Sequence, residues 1–423
     1  MTVVGLDDTD SREGMCSTYV AARVAERLRE RGAAVDRQLL VRLNPAVEHK
    51  TRGNAALAVH TDADPDLALS VASEAVTEFA EVDTANTNPG VVVADHPPAA
   101  TPREVVEWAC EAVRDHHDRE DALELVDAMG YGHAGWGNAR GTVGALAAVG
   151  AWAAFEEWTY ELISYRERDR WGTPREVDRD SVFAAAETAY PEAWDTVDSE
   201  TGDAVCVPNT PGPVLYGIRG DDPGAVRGVS DAVESEPADG RALFVTNQGT
   251  DAHLRNAHLA EVRDGQAYRI DGVVAEAPAF RKGGGGHVRF TLRDGDATLP
   301  CVAFEPTKRF RDHVRRLRVG DRITACGEVA DGTLKLEKFA VRSLVGTERV
   351  VPTCPGCGRS MESAGRGQGY RCRDCGTATA GKAEQPVARD LEPGWYEVPP
   401  GARRHVAKPL VRGGFDAPVH PER

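Results

Sequence analysis

The spacing of apolar residues alternates between two periods in the first part of the chain. Short apolar runs are typical of buried strands, and they lie at residues 2–6, 37–43, 55–61 and 90–96. Residues 15–31 and 65–82 instead repeat an apolar position every three or four residues, as helices do. This order predicts an α+β unit of βαββαβ type, followed by a highly charged helical stretch at residues 102–129.

A second α+β unit is predicted from residue 130 to about residue 258. It opens with a glycine-rich run whose apolar window, residues 141–155, is only about 15 residues long and too short to cross a bilayer, which predicts a buried helix. The chain opens without the basic and apolar segments of a signal peptide, so we expect a soluble, cytoplasmic protein with no membrane partner. No internal repeat is apparent.

Residues 262–345 are rich in strand-like segments joined by short turns. A basic helix-like segment precedes the last two of five strands, which predicts an oligonucleotide-binding β-barrel. Residues 281–318 hold ten Lys or Arg against four Asp or Glu. The barrel is therefore expected to bind nucleic acid. Candidates for stacking on bases, most of them expected in the core, are Phe280, Phe290, Phe304 and Phe310.

The charge of the whole chain has the opposite sign. The 423 residues carry a net charge of −17, and only seven of the 50 basic residues are lysine. This composition is typical of proteins that work in very high salt and indicates a halophilic source. In molar salt, counterion release adds little to nucleic-acid affinity, so stacking, hydrogen bonds and shape must supply it.

Four of the nine cysteines form two CxxC pairs near the C-terminus, at Cys354, Cys357, Cys372 and Cys375. Two such pairs supply the tetrahedral thiolate set that Zn²⁺ prefers, and a full set of four protein ligands predicts a structural ion. The metal would replace a hydrophobic core in a module too small to build one. An arginine-rich tail follows and is expected to join the barrel and the ribbon in binding RNA or DNA.

Three carboxylates, Asp7, Asp8 and Asp10, follow the first strand. Carboxylates this close repel one another, so the turn is either solvated or holds a cation. A turn between a strand and a helix suits Mg²⁺ bound together with a nucleotide. Ser17 and Thr18 begin the next helix, where free N–H groups attract phosphate, although ordinary helix capping also explains them.

Each further group of candidates carries an alternative. Arg42, Lys50 and Arg52 either hold phosphates or lie in a solvated loop. The glycines of residues 130–150 either cradle phosphate or, as we favour, allow close helix packing. Acidic residues of the second unit that could pair with a cationic ligand, but that more often only meet water, are Glu161, Glu167, Asp169, Asp178 and Asp195.

Long motifs occur in a fixed order along the chain. They are GLDDTDSREGMCSTYVA, RLNPAVEHKTRGNAA, GNARGTVGALAAVGA, YELISYR, PGPVLYGIRG, TNQGTDAHL, the two CxxC pairs and PPGARRHVAKPL. In these motifs the chain resembles the archaeal isoleucine-tRNA 2-agmatinylcytidine synthetases over nearly its whole length. The segment NTPGPVLYG departs from the cysteine and proline that more often precede VLYG in that family.

The resemblance implies an ATP-dependent ligase. Such an enzyme attaches agmatine to carbon 2 of the wobble cytidine in a minor isoleucine tRNA with a CAU anticodon, which changes decoding from AUG to AUA. ATP is consumed to AMP and phosphate. The cytidine carbonyl oxygen is phosphorylated, and the amine of agmatine then displaces that phosphate. The alternative is a non-catalytic nucleic-acid-binding protein built from the barrel and the ribbon.

The resemblance also implies roles for parts of the chain and for single residues. Asp7, Asp8 and Asp10 would bind the metal and ATP, Asp7 and Asp8 would hold Mg²⁺, and Thr18 would be the phosphorylated threonine. Ser17, Lys50 and Arg52 are expected to bind the nucleotide. The expected parts are a kinase-like domain at 1–129, a ferredoxin-like agmatine-binding domain at 130–260, the barrel at 261–345, and the zinc ribbon with a basic tail at 346–423.

Overall fold

The computed structural model describes residues 1–47, 50, 53–280 and 285–423. Its helices are α1 Ser17–Glu30, α2 Pro65–Phe79, α3 Arg103–Ala112, α4 Arg119–Met129, α5 Thr142–Ala154, α6 Arg179–Ala189, α7 Pro223–Ala232 and α8 Arg309–Arg315. The strands of the first sheet are β1 Thr2–Asp7, β2 Val35–Arg42, β3 Ala55–Thr61, β4 Gly90–Ala94, β5 Gly132–Gly135, β6 Thr159–Arg166, β7 Ala193–Trp194, β8 Val214–Gly220 and β9 Ala238–Thr246.

The remaining strands belong to the C-terminal half. They are β10 Leu254–Asn256, β11 Ala267–Phe280, β12 Val288–Asp294, β13 Ala297–Ala303, β14 Arg322–Ala330, β15 Thr333–Ser343, β16 Thr347–Val350, β17 Glu362–Ser363, β18 Tyr370–Arg371, β19 Ala378–Thr379, β20 Ala383–Pro386, β21 Gly394–Glu397 and β22 Val419–His420. The predicted βαββαβ order is confirmed, because β1, α1, β2, β3, α2 and β4 follow one another along the chain.

One nine-stranded sheet runs through both predicted α+β units, in the order β5-β4-β1-β3-β2-β9-β6-β8-β7. Within each unit the four strands stand in the order fourth, first, third, second, so both units have the ferredoxin-like arrangement. Their edge strands β2 and β9 pair in parallel at Leu39–Val245 and Leu40–Thr246. The structure therefore contains a repeat of topology that the sequence does not reveal.

Helices cover the two faces of this sheet differently in the two units. Along β6, Ile163 and Tyr165 pack into the core beneath α1 and α2, whereas Leu162 packs beneath α6 and α7. Since alternate residues of a strand point to opposite faces, the helix pairs lie on opposite sides. The predicted buried helix α5 packs against β1 and β4 of the first unit. Among the described residues, no helix is both long and apolar enough to span a bilayer.

The barrel has the predicted five strands. Strands β11, β12, β13, β15 and β14 pair in this order, and β14 pairs again with β11, which closes the barrel. The pair β13 and β15 is parallel, and α8 lies between β13 and β14 along the chain. This is the topology of an oligonucleotide-binding fold.

The basic C-terminal tail differs from its prediction. Instead of facing a nucleic acid, Arg403 has a side chain only 3% exposed and pairs with Asp195 of the second unit and with Glu397. The N–H group of Gly249 donates to the carbonyl oxygen of His405 at 2.8 Å. The arginines of an acidic protein serve here as internal counter-ions, because a buried carboxylate needs a fixed cation. The tail therefore joins the second unit to the barrel.

Candidate functional site

A cavity of about 380 Å³ lies where the two units of the sheet meet. Side chains from the ends of β1, β2, β3, β6 and β8 line it, together with the first turns of α1 and α5. The segment between β7 and β8, including residues 205–206, 208 and 210–213, forms another wall. Both units thus contribute side chains to one site.

The three aspartates of the acidic turn, Asp7, Asp8 and Asp10, all line this cavity. Asp7 Oδ1 accepts a hydrogen bond from the N–H of Asp8 at 2.6 Å. Asp8 Oδ2 accepts from Nη2 of Arg140 at 2.8 Å and from the N–H of Asn88 at 3.2 Å. The Asp8 side chain is only 12% exposed. The acidic turn is therefore fixed by hydrogen bonds in the cavity wall and is not a solvated loop.

The electrostatics of the turn favour a cation. Burial raises the pKa of Asp7 well above its usual value, and the charge of Asp8 raises it further. Burial also raises the pKa of Asp8, although Arg140 opposes this effect. Carboxylate oxygens are hard ligands, and a divalent ion beside them would remove both penalties. The donor set fits Mg²⁺.

Close packing explains part of the glycine-rich run, as we favoured. A Cβ added to Gly144 would lie 2.0 Å from Oδ2 of Asp7, and one added to Gly5 would lie 2.1 Å from the carbonyl oxygen of Ala145. Helix α5 therefore rests directly on β1 and fixes the Asp7 side chain against its first turn. Only glycine leaves space for that carboxylate.

Replacing Gly144 with alanine is expected to lower the free energy of unfolding by about 1–3 kcal/mol, because the new methyl group overlaps the Asp7 carboxylate. Thermal and urea unfolding would measure the loss. Gly228 in α7 is the matched control, since its added Cβ meets nothing within 4 Å. There Gly228→Ala should leave stability unchanged or raise it slightly. Equal losses in both variants would contradict the packing argument.

Ser17 and Thr18 lie in the first turn of α1 and face the cavity. Neither is a capping residue: the N-cap position belongs to Cys16, whose side chain makes no capping hydrogen bond. Oγ of Ser17 accepts from Oγ1 of Thr9 at 3.0 Å, and Oγ1 of Thr18 lies 3.0 Å from Sγ of Cys16. The capping alternative is thus wrong for these two hydroxyls.

The candidate phosphate-binding cations Arg42, Lys50 and Arg52 differ in their positions. Lys50 lines the cavity, its ammonium donates to the carbonyl oxygen of Pro45, and burial lowers its pKa. Arg52 lies outside the described residues. Arg42 reaches the cavity floor from the end of β2.

Of the five acidic candidates in the second unit, only Glu161 lines the cavity within the part of the chain that the structure describes. Glu167 pairs with Arg170 at 3.6 Å, and Asp178 caps α6 by accepting from the N–H of Ser181. Glu161 is 5% exposed and lies between two arginines, Arg42 at 3.8 Å and Arg219 at 3.3 Å.

Arg140 and Arg219 are site residues that the sequence analysis missed. Arg140 is the one Lys or Arg of the run GYGHAGWGNARG, and it lies two residues before the start of the helix that packs on the acidic turn. That position was a usable signal. Arg219 offers none, because its closeness to Glu161 arises from the antiparallel pairing of β6 with β8.

The four cysteine sulphurs lie within 4.8 Å of one another. Backbone N–H groups of Gly356 and Cys357 lower the pKa of Cys354 to about 6, whereas the neighbouring thiols, Cys357 first, raise the pKa of Cys375 to about 12. Four thiolates cannot gather without a cation, and a tetrahedral thiolate set fits Zn²⁺. The predicted cluster is thus formed.

Only two of the four aromatic candidates of the barrel are core residues, although most of them were expected there. Phe290 and Phe310 are core residues, and Phe304 packs against His287. Phe280 is 48% exposed, and the guanidinium of Arg315 lies 4.7 Å from its ring centre. Phe280 remains the one of these four that is open to a base.

Known proteins resemble this chain along its whole length. Residues 3–138 match the TiaS TCKD domain, 139–253 the TiaS FLD domain, 262–335 the OB-fold nucleic acid binding domain and 351–391 the TiaS C-terminal zinc ribbon domain. A curated isoleucine-tRNA 2-agmatinylcytidine synthetase, TiaS from Haloquadratum walsbyi, is 51% identical over 464 residues, covering 100% of both chains. The chain belongs to the isoleucine-tRNA 2-agmatinylcytidine synthetase family. The family resemblance drawn from the motifs is thereby confirmed.

Other members of the synthetase family agree. The curated TiaS of Methanosarcina mazei is 46% identical over 417 residues, covering 97% of each chain. A crystal structure of a TiaS complex with its isoleucine tRNA and ATP is 41% identical with a TM-score of 0.89, covering 100% of this chain and 99% of that one. A TiaS complex with the same tRNA, AMPCPP and agmatine is 39% identical with a TM-score of 0.87 and the same coverage. The predicted multidomain α+β class with barrel and ribbon is confirmed, and the exact domain boundaries stay predictions.

Proposed function

We propose that the chain joins agmatine to carbon 2 of the wobble cytidine in an isoleucine tRNA with a CAU anticodon, and uses ATP to do so. The observation that carries this proposal is the shared cavity, which places the acidic turn, Thr18 and the strands of the second unit around one space. A protein that only bound nucleic acid would have no use for that turn. Solved relatives in complex with isoleucine tRNA, ATP or its analogue, and agmatine support it.

The reaction needs an activated base. A carbonyl oxygen leaves poorly, whereas a phosphorylated oxygen leaves as phosphate when the agmatine nitrogen forms its bond to carbon 2. The amine must attack in its neutral form, while the guanidinium at the other end of agmatine stays charged and serves for recognition. The wobble base must also leave its stack to enter the cavity.

Residues of the first unit are proposed to hold the nucleotide. Asp7 and Asp8 would hold Mg²⁺, which supplies charge neutralisation at the phosphates, and Asp10 would join them in binding the metal and ATP. Arg140 would keep Asp8 in place through their 2.8 Å contact. Ser17 and Thr18 would offer the first turn of α1 to a phosphate, and Thr18 is proposed to accept a phosphoryl group, as the resemblance implies.

The nucleotide site also includes cations from the loop after β2. Lys50 lines the cavity and is proposed to bind phosphate, as is Arg52, which lies outside the described residues. The four cysteines are proposed as ligands of one structural Zn²⁺. The cytoplasm is the proposed location, because the tRNA and ATP are found there, and the shortage of lysine in an acidic chain supports a halophilic source.

The direct test combines the chain with ATP, agmatine and an unmodified tRNA transcript. Digestion and mass spectrometry should then find a nucleoside with the mass of cytidine plus agmatine less one water, located at the wobble position. A transcript with uridine at that position is the control and should stay unmodified. An unchanged cytidine, with ATP left intact, would overturn the proposal.

A further inference from the structure

A second polar cluster lies on the floor of the cavity, apart from the acidic turn. Its members are Arg42 from β2, Glu161 from β6, Arg219 from β8, Gln248 after β9 and His405 from the C-terminal tail, and all but Gln248 line the cavity. Five separate segments of the chain thus meet at one point. The proposed roles of the nucleotide-binding residues do not use this cluster.

Glu161 is fully engaged within the cluster. Its Oε1 accepts from Nε of Arg219 at 3.3 Å, and its Oε2 accepts from Nε2 of Gln248 and lies 3.8 Å from Nη2 of Arg42. A Cβ added to Gly217 would lie 2.7 Å from Oε1, so the carboxylate is also confined sterically. A guanidinium ligand would have to displace these donors in order to reach it.

The cluster keeps an excess of positive charge. Two guanidinium groups face one carboxylate, and burial with Arg42 and Arg219 pushes the pKa of His405 well below 6.5, so that imidazole is neutral. Burial lowers the pKa of Arg42 to about 10, Glu161 opposes this, and Arg219 lowers it further. Nε of Arg42 is buried and has no hydrogen-bond partner among the residues that the structure describes. The floor therefore offers donors and a net charge of one to whatever occupies the cavity.

We propose that Arg42 and Arg219 form a subsite for a phosphate dianion, with Glu161 as the residue that positions both guanidinium groups. This inference rests on the proposed function and deepens it, because that reaction releases phosphate in the same cavity. Planar guanidinium groups match the oxygens of phosphate, and a low-dielectric floor strengthens the contact. The acidic turn would hold the cation, and the floor would hold an anion.

Isothermal titration calorimetry of inorganic phosphate binding to the full-length chain tests the subsite. Arg219→Gln should weaken phosphate binding about tenfold, and Glu161→Gln should tighten it about tenfold, because each changes the net charge of the floor by one. The double variant restores that charge and should bind near the wild-type level. Arg31→Gln is the control and should bind like wild type, because Arg31 follows α1 and forms an exposed pair with Glu74 of α2.

Two further measurements separate the sources of the ligand and the competing role of Glu161. The phosphate titration is then repeated with the chain saturated by a non-hydrolysable ATP analogue, which distinguishes two supporting results. Loss of phosphate binding assigns the subsite to the phosphates of the nucleotide. Retained phosphate binding assigns it to the transferred phosphoryl group. In steady-state assays Glu161→Gln should change the KM for agmatine less than threefold and lower kcat. A tenfold rise in that KM with unchanged phosphate binding would instead assign Glu161 to agmatine and overturn the proposal.

Failure of the phosphate subsite and failure of the proposed function give different results. Wild-type chain that modifies the wobble cytidine but binds no phosphate would overturn the subsite alone. A chain that binds phosphate with the expected charge dependence but never modifies cytidine would overturn the proposed function alone.

Discussion

Replacing Asp8 with alanine is expected to lower the rate of ATP cleavage by about a thousandfold while the Kd for tRNA changes less than about threefold. The Asp8 carboxylate accepts from Arg140 and would hold the cation, so its loss would remove one metal ligand and the acceptor of that guanidinium. The acidic turn is distant in sequence from the barrel and the ribbon, so tRNA contacts should persist. Release of AMP and filter binding of labelled tRNA would measure the two quantities.

Two companion variants make this result specific. Asp8→Asn keeps the shape and an oxygen that can accept from Asn88, but it removes the charge, so it should be nearly as inactive if the carboxylate binds a cation. Asp83→Ala removes an exposed carboxylate of the same unit and should cleave ATP normally. Ordinary turnover by Asp8→Ala would rule out the metal role of the turn. Thermal unfolding of each variant would show whether the fold is kept.

Much of the fold follows from local pattern. The strands and helices of the first unit and of the barrel could be predicted because each has an apolar face with one clear period. The relation between the two units could not. Pairing of β2 with β9 rests on two residue pairs far apart in sequence, and nothing in either strand specifies the other. The repeated topology is likewise carried by strand order, which leaves no trace in residue identity.

The residues of the candidate site likewise include some that the sequence could predict and some that it could not. The aspartates, Thr18 and the cysteines could be predicted because chemistry concentrates several of them within one short segment. Arg219 and His405 could not, since their place depends on sheet register and on a tail that returns across the second unit. The tail also shows where composition misleads. Its arginines looked like a nucleic-acid surface, yet Arg403 is buried against Asp195 and Glu397.

The tail connects the two halves of the molecule physically. Lys338 of the barrel strand β15 pairs with Asp251 at 2.7 Å, and the N–H of Lys408 donates to the same carboxylate. Two residues further back, Val406 accepts from the N–H of Asp251. The barrel, the second unit and the cavity floor therefore share one buried polar segment, so the orientation of the barrel toward the cavity is fixed by the fold.

The zinc ribbon has only a small apolar core of its own, and Cys357→Ser is therefore expected to unfold it and to weaken tRNA binding at least about tenfold. Its core consists of Cys354, Met361 and Cys372, with Tyr370 packed beside them. So few apolar groups cannot offset the entropy of ordering the segment, which leaves the metal as the main source of its stability. Zinc content per chain and tRNA affinity would measure the effect, and any ATP cleavage that the chain performs without tRNA should continue.

Cys110→Ser is the matched control, because Cys110 is half-buried in α3 and lies far in sequence from the cluster. It should keep one zinc ion per chain and wild-type tRNA affinity. A Cys357→Ser chain that lacks zinc yet binds tRNA as tightly as wild type would show that the ribbon does not bind the tRNA. The barrel would then have to supply the affinity alone, through groups such as the exposed Phe280 and its partner Arg315.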